Sequence, residues 1–156
     1  MTDQSPRSSA ESALRTIDIE MRAIAELKSR IDDKFAKAVD ILASVSGRVI
    51  VSGMGKSGHI GNKIAATLAS TGTPAQFVHP AEACHGDMGM ITRSDAALLM
   101  SNSGTTSEIT ALLPMLKRLG IPIIAMTGNP SSILASAADI HLNIGVEEEA
   151  CPHDLA

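Results

Sequence analysis

The chain has 156 residues, 44% of them apolar and 19% charged, which suits one ordinary globular domain with a single core. A formal net charge of -4 and only two aromatic side chains, Phe35 and Phe77, argue against a nucleic-acid-binding footprint. No apolar run approaches the roughly 18 residues of a membrane span, the first residues lack an apolar signal core, and two cysteines are no disulfide framework, so a cytoplasmic protein with no membrane partner is expected.

Residues 8–31 read as an amphipathic helix. Ser8 and Glu11 have capping-box spacing, and Leu14, Ile17, Met21, Ile24, Leu27 and Ile31 recur at steps of three and four. A second helix is predicted over 33–45, with Phe35, Val39 and Leu42 inward and Gly47 beyond its end. These two N-terminal helices define a segment, 1–47, that is either a cover for the sheet or an arm that packs on a partner subunit.

From residue 48 to 156 short apolar runs alternate with helical patterns. Strands are predicted over 48–51, 75–78, 96–100, 121–126 and 140–144. Helices are predicted over 58–70, 107–119 and 131–137, with Gly72 and Gly120 as stops and Pro114 kinking the 107–119 helix or shifting its start. Continuously apolar strands separated by helices indicate a parallel sheet covered on both faces. Right-handed crossovers then give an α/β fold of three layers, α-β-α, with a five-stranded doubly wound sheet in the flavodoxin-like order 2-1-3-4-5.

Ligands of such sheets bind beyond the carboxyl ends of the strands, near the switch point. Two loops fall there. The first is Ser52-Gly53-Met54-Gly55-Lys56-Ser57-Gly58. It fails as a Walker A motif because Ile50 stands where glycine is needed. It fits the G-x-G-x-x-G of a dinucleotide fingerprint, but His79 and Pro80 occupy the place of the acidic ribose partner. As a general anion loop it has close-approaching backbone amides, a helix N-terminus and the charge of Lys56; a plain strand-to-helix turn with an exposed lysine is the bland alternative. The second loop, Ser101 to Glu108, carries hydroxyls at Ser101, Ser103, Thr105, Thr106 and Ser107 just before a predicted helix. One hydroxyl suffices for an N-cap, so the surplus favours a ligand such as phosphate.

The motifs from Gly53 to His59, Ser70 to Pro74, His79-Pro80, His85-Gly86-Asp87, Ser101-Asn102-Ser103-Gly104 and Glu149-Ala150-Cys151-Pro152 occur in that order. Together they resemble the sugar isomerase (SIS) domain of bacterial arabinose-5-phosphate isomerases, over about residues 10 to 156. The resemblance implies cofactor-free interconversion of D-arabinose 5-phosphate and D-ribulose 5-phosphate through an enediolate, feeding Kdo and lipopolysaccharide synthesis. It implies phosphate and substrate binding by Gly55 and Ser57 of the first loop and by Ser101, Asn102, Ser103 and Thr106 of the second. It implies catalytic roles for Lys56, Glu108, Glu149 and His85. Glu149 or Glu108 would be the base, His85 would assist proton transfer at oxygen, and Lys56 would stabilise the enediolate or the phosphate.

Each role has a plainer counterpart. Glu147, Glu148 and Glu149 form a charge run of the kind that usually faces solvent, and Glu108 suits a first helical turn. His79, Cys84 and His85 are zinc-ligand types whose spacing matches no strong structural zinc pattern; zinc bound there would inhibit rather than catalyse. The resemblance also implies a homo-oligomer, commonly a tetramer. Relatives of this kind continue with a further helix, a histidine-bearing motif and often a pair of CBS domains, so a truncated form is expected. A non-catalytic sugar-phosphate-binding regulatory SIS module is the alternative function.

Overall fold

The computed structural model describes residues 8–151. The chain divides into two compact units, one built from residues 31–145 and the other from residues up to 30 together with those from 146 onward.

The larger unit is built on five parallel strands: β1 (Val49–Gly53), β2 (Ala75–Phe77), β3 (Ala96–Met100), β4 (Ile123–Thr127) and β5 (Ile140–Asn143). Their order is β2-β1-β3-β4-β5, as the alternating pattern predicts. β1 and β3 are buried along their whole lengths, which is why they read as unbroken apolar runs. Alternate residues feed two separate cores. Ile50, Ala97, Leu99, Ile123 and Ala125 pack on one face with Ile109, Leu112, Leu116 and Leu134. Val49, Val51, Leu98, Met100 and Ile124 pack on the other with Ala38 and Ala65.

The second core is covered by helices α2 (Asp33–Ser44) and α3 (Gly55–Ser70). The first is covered by the short helices α4 (Pro80–Cys84), α5 (Ser107–Thr110), α6 (Leu113–Leu119) and α7 (Ile133–Ala137). α2 packs through Ala38, Ile41, Leu42 and Val45, while Phe35 and Val39, expected to point inward, are exposed. The buried face is turned by about one residue because small Ala38, not Phe35, makes the close approach.

Some elements depart from the predicted pattern. α3 begins at Gly55 rather than Gly58, so Lys56 and Ser57 stand in its first turn. The helix expected over 107–119 is broken into α5 and α6, with Pro114 in the first turn of α6, where a missing N–H is harmless. Between β2 and β3, where no element is predicted, lie α4 and a 3-10 turn, Asp87–Met90.

The smaller unit contains α1 (Ser9–Leu27), a 3-10 turn over Lys28–Arg30, and the segment from Val146 to Cys151. The capping box is present in full: Ser8 accepts from the Glu11 amide and Glu11 accepts from the Ser8 amide. The stripe from Leu14 through Leu27 lies exposed, with Ile24 at 66%.

Candidate functional site

The register of β1 against β3 decides whether the two loops meet. Ser52 pairs with Leu99 and Gly53 with Met100. Neighbouring strands lie about 4.8 Å apart, so Met54 and Ser101, the next residues of each chain segment, leave the same rim side by side. This rim is the switch point of the sheet, since β2 flanks β1 on one side and β3 on the other.

Glycine shapes the first loop for two reasons. Gly55 sits at φ 55°, a left-handed conformation that side chains resist. Gly53 and Gly58 let strand end and helix start touch: a Cβ on Gly58 would lie 2.7 Å from the Gly53 carbonyl oxygen. The turn therefore brings the first amides of α3 to the rim, and Met54 at the N-cap offers no capping side chain. α3 has 16 residues, enough for a full helix dipole pointing its positive end at the rim. Gly55 and Lys56 are exposed and Ser57 is half-buried.

The second loop is more tightly organised than a row of independent hydroxyls. Ser101, nearly buried, shares a 2.7 Å hydrogen bond with the Thr106 hydroxyl and accepts from the Gly104 amide at 3.1 Å. Ser103 accepts from both the amide and the hydroxyl of Thr105. The Ser107 hydroxyl donates to the Glu108 carboxylate at 2.8 Å. Of five hydroxyl protons, Thr105 and Ser107 each commit one, and the Ser101–Thr106 pair commits one between its two members. Among the described residues this leaves the Ser103 proton and one from that pair for an incoming anion. The helix behind this loop, α5, is only four residues long, so its dipole is a small part of any anion affinity.

The loop is held from outside by the turn after β4. The Gly128 amide donates to the Asn102 carbonyl at 2.8 Å, and the Leu134 amide donates to the Gly104 carbonyl at 3.1 Å. Gly104 sits at φ 66° against Ser132, so close that any Cβ there would overlap the Ser132 side chain. Ser52, at the end of β1, is 1% exposed and donates to the Val78 carbonyl at 2.7 Å, tying the rim to the segment that enters α4. Sequence reasoning names Ser52 only as the start of the first loop and passes over Gly128 and Ser132. All three are small residues, and only the close approach that each permits sets it apart.

Glu108 lies near the surface, and its carboxyl is held below the usual glutamate range, chiefly by its own backbone amide and then by the Ser107 hydroxyl. α4 packs against α5, which puts the His85-bearing helix beside the helix of Glu108. His85 itself is exposed at the C-terminal end of α4, where its amide donates to the Glu82 carbonyl. His79 and Cys84 are exposed at the two ends of α4. Among the described residues no group of three His, Cys, Asp or Glu side chains is placed to hold a metal ion.

Glu149 belongs to the smaller unit. There Glu148 is held by Arg15 at 2.6 Å and by Arg22 at 3.2 Å, and Arg15 also donates to the Ala150 carbonyl. Glu147 and Glu148 are exposed while Glu149 is half-buried, so the charge run is not uniform. Pro152, the last residue of the Glu149–Pro152 motif, lies outside the described residues.

Comparison with known proteins agrees with this fold. The SIS domain family matches residues 41–155. Arabinose 5-phosphate isomerase KdsD of Pseudomonas aeruginosa is 62% identical over 145 residues, 93% of this chain and 44% of that protein. KdsD of Francisella tularensis is 56% identical over 92% of this chain and 45% of its own length. The chain thus spans less than half the length of these curated relatives. Among solved structures, Escherichia coli CFT073 c3406 in complex with arabinose 5-phosphate superposes with a TM-score of 0.89 at 40% identity, covering 96% of this chain and 81% of that one.

Proposed function

This chain belongs to the SIS domain family, and on that premise we propose that it binds a five-carbon sugar phosphate at the β1–β3 rim as part of an isomerase. The reaction is the interconversion of D-arabinose 5-phosphate and D-ribulose 5-phosphate, supplying Kdo and lipopolysaccharide synthesis. The observation that carries the reading is the register of β1 against β3, which sets the amides of α3 beside the hydroxyls of the second loop. The identity to KdsD proteins supports the choice of substrate.

The phosphate is held by the first-turn amides at Gly55 and Ser57 and by Ser101, Asn102, Ser103 and Thr106. In the open-chain sugar a base removes the C2 proton, and the electron pair moves toward the C1 oxygen to give an enediolate. Reprotonation at C1 then yields the ketose. Lys56 stabilises the anionic oxygen, and His85 carries the proton between the two oxygens. A depressed pKa makes a carboxylate a weaker base. That counts against Glu108 in the base role, because its own amide and the Ser107 hydroxyl stabilise its charge. No cofactor takes part.

The protein acts in the cytoplasm as a homotetramer. Among the described residues no helix is long and apolar enough to cross a membrane, and the exposed stripe on α1 supplies an apolar face for subunit contact.

The test has two arms. Calorimetric titration should show binding of arabinose 5-phosphate but not of unphosphorylated arabinose; equal affinity for both would remove the phosphate site. In a form of the protein that turns over, Glu149→Gln should abolish appearance of ribulose 5-phosphate while the circular dichroism spectrum stays unchanged. Normal turnover by that variant would take Glu149 out of the base role.

A further inference from the structure

The described part of β5 carries one imidazole, His141, half-buried at the same rim as the ligand loops. Its Nε2 lies 2.9 Å from the Thr127 hydroxyl and 3.3 Å from the Thr127 carbonyl oxygen. Thr127 is fully buried at the end of β4. Its hydroxyl proton goes to the Asn129 carbonyl at 2.9 Å, a group that can only accept. The same oxygen accepts from the Asn129 amide at 3.1 Å. With its proton spent, the Thr127 hydroxyl can only accept from His141, so Nε2 carries a hydrogen.

The chain of bonds runs on into the second loop. Thr127 fixes Asn129; the adjoining Gly128 amide fixes the Asn102 carbonyl; Ser132 caps α7, whose Leu134 amide fixes the Gly104 carbonyl. We infer that His141 is a positioning residue for the serine–threonine loop. It acts through Thr127 and the 128–132 turn to hold Asn102 and Gly104 where the hydroxyls can meet an anion. This rests on the reading of that loop as the phosphate site, and it adds a residue that touches no substrate.

The experiment compares His141→Phe, which keeps size but removes the donor, with His141→Gln, whose amide can restore a donor near Nε2. In the unliganded protein, a two-dimensional amide spectrum should show shifts at Asn102, Ser103 and Gly104 for the Phe variant and near-native positions for Gln. A long-range nitrogen correlation of the native protein should find hydrogen on Nε2. The dissociation constant for arabinose 5-phosphate should rise roughly three- to tenfold in His141→Phe, the factor that one lost hydrogen bond supplies, and stay near native in His141→Gln. Unchanged loop amides in the Phe variant, or equal losses in both variants, would overturn the positioning role. A native protein that binds no sugar phosphate would overturn the site reading instead, and the amide spectra would still judge the brace.

Discussion

Gly104→Ala should be among the most damaging single-methyl additions to this protein. Two separate costs fall on one atom. The backbone at Gly104 has φ 66°, and an L side chain in that region costs about 1–2 kcal/mol. The new Cβ would also land inside the volume of the Ser132 side chain, with Thr127 Cγ2 3.3 Å away. Ser132 is buried and its hydroxyl caps α7 by accepting from the Ala135 amide, so it has little room to turn aside. Overpacking of this kind costs about 1–3 kcal/mol. Together they come to about 2–5 kcal/mol, against a total stability of about 5–15 kcal/mol for a typical domain. Urea unfolding followed by circular dichroism measures the loss. The two costs separate in a cycle with Ser132→Gly, which clears the space and, as a cap replacement by glycine, costs only a few tenths of a kcal/mol alone. The double variant should recover the steric share, about 1–3 kcal/mol, and keep the backbone share. If Gly104→Ala lies within about 0.5 kcal/mol of the native protein, or if Ser132→Gly restores nothing, then the loop does not rest on Ser132 as described.

Ser52→Ala strips the buried Val78 carbonyl of its hydroxyl donor, which should lower stability by about 1–3 kcal/mol and speed hydrogen exchange in α4; exchange unchanged from native would contradict the tie between the β1 end and that segment. Glu108 should titrate below the ordinary glutamate range in a carbon-detected NMR titration, and Ser107→Ala should move it back up. Because its folded pKa is depressed, its contribution to stability is present above the ordinary glutamate value and fades as pH falls through the lower folded one. A midpoint that ignores Ser107→Ala would show that the hydroxyl has no hold on the carboxylate.

The order of the sheet was readable because both its faces are covered. Burial on two sides makes Val49 to Val51 and Ala96 to Met100 unbroken apolar runs, and that pattern belongs to parallel strands. The two loops proposed to hold the ligand stood out for a related reason: glycines and hydroxyls crowd together just where strands end. What escaped were features set by the shape of neighbours. Phe35 has the right spacing to face the sheet, yet Ala38 takes that place because a close-packed helix prefers a small contact. α4 escaped because five residues are too few to show a period. Gly128 and Ser132 look like ordinary turn residues until Asn102 and Gly104 are seen to lean on them.

In the proposed site the two loops would divide the work of holding an anion in a way that composition alone obscures. Counting hydroxyls assigns the larger share to the second loop. The bonding pattern lowers that share, since three of its five hydroxyl protons already satisfy neighbours. Breaking those bonds to recruit more donors would cost about what the new bonds return. The long helix α3, by contrast, presents its first-turn amides at the rim with no capping side chain to displace, and Lys56 stands in that turn. Charge attraction should therefore come mainly from the first loop, and the second should act as a rigid, neutral wall that sets where the phosphate stops. Salt dependence distinguishes the two contributions. Lys56→Met should flatten the dependence of arabinose 5-phosphate affinity on ionic strength, whereas Thr106→Val should lower affinity by a similar factor at every salt concentration. A Thr106→Val loss that vanished in high salt would mean that the second loop, not the first, supplies the field.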